Sequence, residues 1–255
     1  MLDIYNMFSI QGKNALITGS ANGNGKALSS ALGDAGCNLT LIDIDNENLE
    51  VVSKEIEEKT KTKVNRYSFD LSDSKQLDSF LQQNNDFDIV INNAGVTHGN
   101  HLFDYKDSDW EKTYRVNLYA PYKIIQKIGE TMTKKKSGSI INITSLAAEF
   151  GFPDNPAYVA FKGALKQLTK SAAFDLSKFN IRVNSVGPGY IKTNMTAKSW
   201  DDKKMKMERS DRTMLGRWGE SEDLIGTVIF LSSDASSYIT GQDFYVDGGW
   251  TAKGL

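Results

Sequence analysis

Tyr158 and Lys162 stand four residues apart in the stretch "NPAYVAFKGALKQL". That spacing puts a phenol and an ammonium on one face of a helix. Pro156 has the φ suited to a first helical position and Asn155 suits the N-cap before it, so the helix begins just ahead of the pair. An ammonium beside a phenol favours the phenolate, the form that accepts a proton. The bare pattern fits proton transfer, and it fits equally a half-buried aromatic next to a solvated lysine. The rest of the chain has to decide.

The elements that position the pair follow from the hydrophobic pattern. "NALIT", "NLTLID", "VNRYSF", "FDIVIN", "SIINIT", "IRVNSV" and "DFYVD" read as short strands. Between them, helical patterns fit near 24–36, 46–60, 73–84, 107–135, 156–178 and 221–233. Alternation of this kind predicts right-handed βαβ units: a doubly wound parallel sheet of about seven strands with helices on both faces. Several strands are apolar almost throughout, as they must be when both faces of a sheet are covered. One stretch breaks the alternation. Residues 187–217, "GPGYIKTNMTAKSWDDKKMKMERSDRTMLGR", are too long for an ordinary connection and read as a lid or binding-loop insertion whose charged middle is a solvated helix.

Just after the first strand comes "TGSANGNGKAL". Glycines at 19, 23 and 25 allow a tight strand-to-helix turn and close approach of a diphosphate to the amides and positive dipole end of the following helix. The second strand ends at Asp43, eighteen residues beyond Gly25. In a doubly wound sheet, an acidic side chain there accepts hydrogen bonds from the ribose hydroxyls of adenosine. A carboxylate also repels a 2′-phosphate, and the neighbouring Ser20, Ala21 and Asn22 offer no cation to hold one. The expected cofactor is therefore NAD rather than NADP.

The composition sets the outer bounds. The chain has 255 residues, of which 40% are hydrophobic and 24% charged, enough for one large globular domain spanning 1–255. A net charge of −2 carries no electrostatic footprint for nucleic acid or anionic lipid. The basic run Lys134–Lys136 suits the negative end of a helix dipole. Cys37 is the single cysteine, so an intrachain disulfide is impossible and a thiolate zinc site is not expected. His98 and His101 lack nearby partners for a metal. "MLDIYNMFSI" lacks the basic n-region of a secretory signal, and no apolar run approaches a bilayer span, so a soluble cytoplasmic protein is expected.

Taken together, these pieces resemble the short-chain dehydrogenase/reductase family over nearly the whole chain, in family order. "TGSANGNG" is similar to the family's TGxxxGxG, with Asn24 where an aliphatic residue is common. The resemblance implies cofactor contacts at Gly19, Asn22, Gly23, Asn24, Gly25 and Asp43, with Asp70 and Leu71 of "DLS" beside adenine. "NNAG", with Asn93, Ala94 and Gly95, resembles the family's signature after the fourth strand, which lines the cofactor cleft. "GPGYIKT" implies Pro188, Gly189, Ile191 and Thr193 near the nicotinamide ribose and carboxamide. "ITGQDFYVDGG" resembles the family's last strand.

The resemblance also implies a catalytic set: Asn117 of "VNLYAP", Ser145, Tyr158 and Lys162, with Ser145 thirteen residues before the tyrosine. Tyr158 is then the general acid/base, Lys162 lowers its pKa and holds ribose hydroxyls, Ser145 binds the substrate oxygen, and Asn117 holds a water linking Lys162 to solvent. The tail and the "VGPGYIKT" loop look like the gluconate 5-dehydrogenase branch of sugar and polyol dehydrogenases. Polar residues His98, Asn100, Glu149 and Asn155 are candidates for binding a polyhydroxylated small-molecule substrate. A 3-oxoacyl thioester or general ketone reductase using NADPH is the alternative enzyme, and a non-catalytic dinucleotide sensor the alternative of another class. Assembly as a homotetramer is expected by analogy.

Overall fold

A parallel sheet carries the molecule. The computed structural model describes residues 3–253. Its strands are β1 (Asn14–Thr18), β2 (Asn38–Asp43), β3 (Val64–Ser68), β4 (Ile89–Asn92), β5 (Gly138–Ile143), β6 (Ile181–Pro188) and β7 (Asp243–Val246). They form one sheet in the order β3-β2-β1-β4-β5-β6-β7, every neighbouring pair parallel. The helices are α1 (Ile4–Phe8), α2 (Gly23–Asp34), α3 (Asn46–Thr60), α4 (Ser74–Gln83), α5 (Asp107–Tyr114), α6 (Ala120–Lys135), α7 (Pro156–Ser177), α8 (Ala197–Asp201), α9 (Lys203–Arg212) and α10 (Ile225–Ser232).

Side-chain alternation along each strand builds two cores. Ala15 and Ile17 of β1, in register with Leu39 and Leu41 and with Ile89 and Ile91, face α2, α3 and α10. Leu16, Val90 and Ile140 face the opposite way and meet α4, α6 and α7 through residues such as Leu77, Ile124 and Ala172. The order reverses between β1 and β4, and a crevice opens outside the carboxyl ends of the strands at such a switch point. Among the described residues no helix is long and apolar enough to cross a membrane.

The helix expected over 107–135 is interrupted. A π-helical turn at Arg115–Tyr119 separates α5 from α6. Pro121 explains it: proline lacks an N–H for the carbonyl of Asn117, four residues earlier, and its ring would clash there in a regular helix. The 187–217 insertion is helical for much of its length. Gly187 and Pro188 belong to β6, a 3₁₀ turn follows at Asn194–Thr196, and α8 and α9 complete the segment, with most of the "DDKKMKMER" charges exposed as expected. Cys37 is buried and its thiol donates to the Ile10 carbonyl at 3.2 Å.

Candidate active site

At the carboxyl ends of the strands lies a cavity of about 590 Å³, reaching from Asp43 and Asp70 at one end to Tyr158 and Arg209 in its wall. The glycine loop forms part of its floor. Gly19 has φ +69°, a conformation side chains rarely adopt. A Cβ on Gly25 would lie 1.7 Å from the Gly19 carbonyl oxygen, so only glycine lets α2 start this close to β1. Asn93, just after β4, clamps the loop, its amide donating to the carbonyls of Thr18 and Gly19 at 3.0 Å each. Thr18 Oγ1 accepts from the Asn93 and Ala94 amides. Thus Asn93 braces the backbone, while Ala94 and Gly95 also line the cavity.

Asn22 precedes α2 but makes no side-chain bond to its first turn; it donates to Asp45 instead. Asn24, the departure from the family pattern, accepts from the Ser221 hydroxyl at 2.8 Å and so ties the loop to the turn before α10. Asp43 is held at the end of β2 by the amides of Ala21 (2.8 Å) and Asp45 (3.0 Å). Asp70 is bound to Lys112 of α5 and to Ser72. Burial raises the Asp70 pKa, but the bonds from Lys112 and Ser72 outweigh it and leave the carboxyl below its ordinary value. Leu71 is buried beside it and also lines the cavity. A cradle that a single Cβ would fill, with an acidic side chain at the end of β2, fits a dinucleotide.

The proposed catalytic side chains come from three elements. Ser145 follows β5, and its hydroxyl accepts from the Ala147 amide at 3.1 Å. Tyr158 and Lys162 lie on the first turns of α7, with Pro156 opening the helix and Asn155 before it, although the Asn155 side chain does not cap it. Lys162 is buried and donates to the Ile143 carbonyl at 2.7 Å. Burial alone lowers its pKa to about 8. Burial raises the Tyr158 pKa; the Ser145 hydroxyl pulls it the other way, and Tyr190 adds to the rise. In the protein alone the net shift of the phenol is upward.

Asn117 is fully buried in the π turn. Its amide makes both bonds to Val96, accepting from the N–H (2.8 Å) and donating to the carbonyl (2.9 Å). The side chain thus holds the loop after β4 in place.

Of the five candidate substrate residues, Ser145 and Asn155 line the cavity; Asn155 donates to Thr97 Oγ1 at 2.6 Å and keeps a buried, unpaired Oδ1. Glu149 turns away, accepting from Lys166 and from Tyr245 Oη at 2.7 Å. Those bonds hold its pKa below the ordinary carboxylate value. His98 packs against Thr113 Oγ1 at 3.3 Å, and Asn100 bonds to the Asp104 carbonyl and the His101 amide. In their place the wall holds Phe152, Tyr190 and Arg209; Tyr190 lies inside "GPGYIKT" but is not among its expected cofactor contacts, and no motif singles out Phe152 or Arg209. Pro188, Gly189, Ile191 and Thr193 line the cavity. Thr193 lies over the glycine loop, where a Cβ on Gly23 would approach its methyl to 3.2 Å.

The chain is similar to known proteins over nearly its whole length. Residues 19–251 match the family model described as enoyl-(acyl carrier protein) reductase. The 5-keto-D-gluconate 5-reductase of Escherichia coli K12 is 34% identical over 247 residues, 95% of this chain and 97% of that protein. The 3-oxoacyl-[acyl-carrier-protein] reductase of Thermotoga maritima is 36% identical over 244 residues, 94% of this chain and 98% of its own. A crystal structure of a gluconate 5-dehydrogenase from Burkholderia cenocepacia, in complex with NADP and tartrate, superposes with a TM-score of 0.92 at 32% identity, covering 99% of this chain and 100% of that one.

Proposed function

Because this chain belongs to the short-chain dehydrogenase/reductase family, we propose that it is an NAD-dependent oxidoreductase acting on a secondary alcohol or ketone of a sugar acid, sugar or polyol, with Tyr158 as general acid/base. The observation that carries the reading is the convergence of Ser145, Tyr158 and buried Lys162 in the wall of a cavity that also contains the glycine cradle and Asp43. Bound nicotinamide supplies the hydride chemistry. The protein's own residues bind, orient and move the proton.

With its pKa raised, the resting phenol of Tyr158 is protonated and able to donate to a ketone oxygen. In the reverse direction it must first lose that proton. Ser145 orients the substrate oxygen, and Lys162 places a buried cation that favours phenolate and is suited to hold ribose hydroxyls. Asp43 takes the adenosine ribose. With Asp45 bonded beside it, that corner is acidic, which supports NAD for this chain even though the Burkholderia relative was crystallised with NADP. Assembly as a homotetramer belongs to the same proposal, supported by apolar side chains left on the surface such as Phe174 of α7.

The identity to the Thermotoga enzyme supports a second reading, an NADPH-dependent 3-oxoacyl thioester reductase. Absorbance at 340 nm separates the two, with NAD and NADP tried against sugars, aldonates, polyols and secondary alcohols, and NADH and NADPH against acyl thioester ketones. Turnover of NAD with a sugar-like class is the expected outcome. Activity confined to NADPH and thioesters would replace the first reading with the second.

A further inference from the structure

We infer that Arg209 of α9 is the residue that selects a carboxylate-bearing substrate, so that among hydroxylated compounds the site takes sugar acids in preference to neutral polyols. This rests on the sugar-class reading above and narrows it.

Three cations line the cavity: Lys112, Lys162 and Arg209. Lys112 is paired with Asp70, and Lys162 is bonded to the Ile143 carbonyl. Arg209 differs from both. It makes no ion pair among the described residues; its Nη1 has one long bond, 3.4 Å to the Met205 carbonyl, and its Nε is buried with no partner at all. A guanidinium presents a planar fork of donors matched to a carboxylate, and a buried N–H left unpaired is costly. The fork therefore lacks an anionic partner in a wall that can receive one.

Its position relative to the chemistry is set by aromatic packing. The guanidinium carbon lies 4.6 Å from the centre of the Tyr190 ring, a stacking distance that restrains the side chain. Tyr190 and Tyr158 line the same cavity as Arg209, so the cation and the phenol face one space. Tyr190 is itself packed against Trp218 and Trp250, with ring centres 5.2 and 5.3 Å away. Trp218 Nε1 donates to the Lys206 carbonyl at 3.0 Å, pinning α9 one turn before Arg209. The cavity's acids, Asp43 and Asp70, belong to the cofactor contacts, and Asp70 is neutralised by Lys112.

Binding tests this separately from turnover. Gluconate and its uncharged counterpart glucitol are titrated into the NADH-loaded wild type, R209Q and R209K, reading NADH fluorescence or heat. Wild type is expected to bind gluconate more tightly than glucitol. R209Q is expected to weaken gluconate by about tenfold to a hundredfold, the scale of a lost charge-assisted bond, while leaving the NADH Kd within about twofold. R209K recovers part of the loss, because it keeps the charge without the fork. Equal gluconate affinity in wild type and R209Q, or no gluconate binding, overturns the inference. So does a parallel loss of NADH affinity in R209Q, which would assign the guanidinium to the cofactor diphosphate. Arginine-dependent gluconate binding without oxidation of any sugar acid leaves this inference standing and removes the catalytic reading instead.

Discussion

The Lys162 ammonium lies 5.7 Å from the centre of the Tyr158 ring and donates its hydrogen bond to the Ile143 carbonyl, at 2.7 Å. The two side chains share a helix face, yet burial pushes them in opposite directions: the phenol upward and the ammonium down to about 8. Each is shifted toward its neutral form. In the protein alone the pair is poised as an acid.

Tyr158→Phe removes the proton and keeps the ring. Turnover is expected to fall by about 10²–10⁴-fold, the contribution of a positioned acid or base. NADH affinity, measured by fluorescence, should stay within about twofold. In the wild type, alcohol oxidation should accelerate as pH rises and ketone reduction should slow, since oxidation needs the phenolate and reduction the phenol. Undiminished turnover in the variant would remove Tyr158 from its role.

Lys162→Met gives a stability test whose sign is fixed by the shift. The unfolded state holds the lysine proton up to about 10.5 and the folded state only up to about 8. Between those values the unfolded chain binds more protons, so raising the pH stabilises the wild type relative to the variant. The relief is of the order of 3 kcal/mol across that window. Urea titrations of both proteins, cofactor-free, at pH 7 and pH 10 measure it. A difference that does not change with pH would mean Lys162 is not desolvated. Activity should be lost in the variant at either pH.

Asp43→Asn keeps an acceptor for one of the two amides, Ala21 or Asp45, and removes the charge. The ratio of kcat/KM for NAD over NADP is expected to fall by about tenfold or more, equivalent to about 1.4 kcal/mol or more of lost repulsion. An unchanged ratio would place cofactor discrimination elsewhere.

Gly25→Ala forces a methyl to within 1.7 Å of the Gly19 carbonyl oxygen, inside the backbone itself. The glycine loop must move, and dinucleotide affinity should drop by about a hundredfold or more in any folded protein recovered. Gly163→Ala on α7, where a Cβ meets open space, is the control and should bind NADH normally.

What could be read from the chain was local. The Tyr158–Lys162 spacing, the glycine turn, Asp43 at a strand end and the alternation of strands with helices all depend on backbone periodicity over a few residues. The π turn has a local cause too, Pro121 removing the donor for Asn117 four residues earlier, although the hydrophobic pattern over 107–135 reads as one continuous helix. Which polar side chain faces the cavity is a different kind of question. Glu149 stands four residues after Ser145, but Tyr245, 96 residues away, and Lys166 claim its carboxylate. Arg209 sits in a charged stretch that reads as a solvated face, and only the packing of Tyr190 against Trp218 and Trp250 brings its guanidinium to the cavity wall. Helical and strand geometry is set by hydrogen bonds between near neighbours. A polar side chain's orientation is set by whichever partner, anywhere in the chain, satisfies it once the sheet has closed.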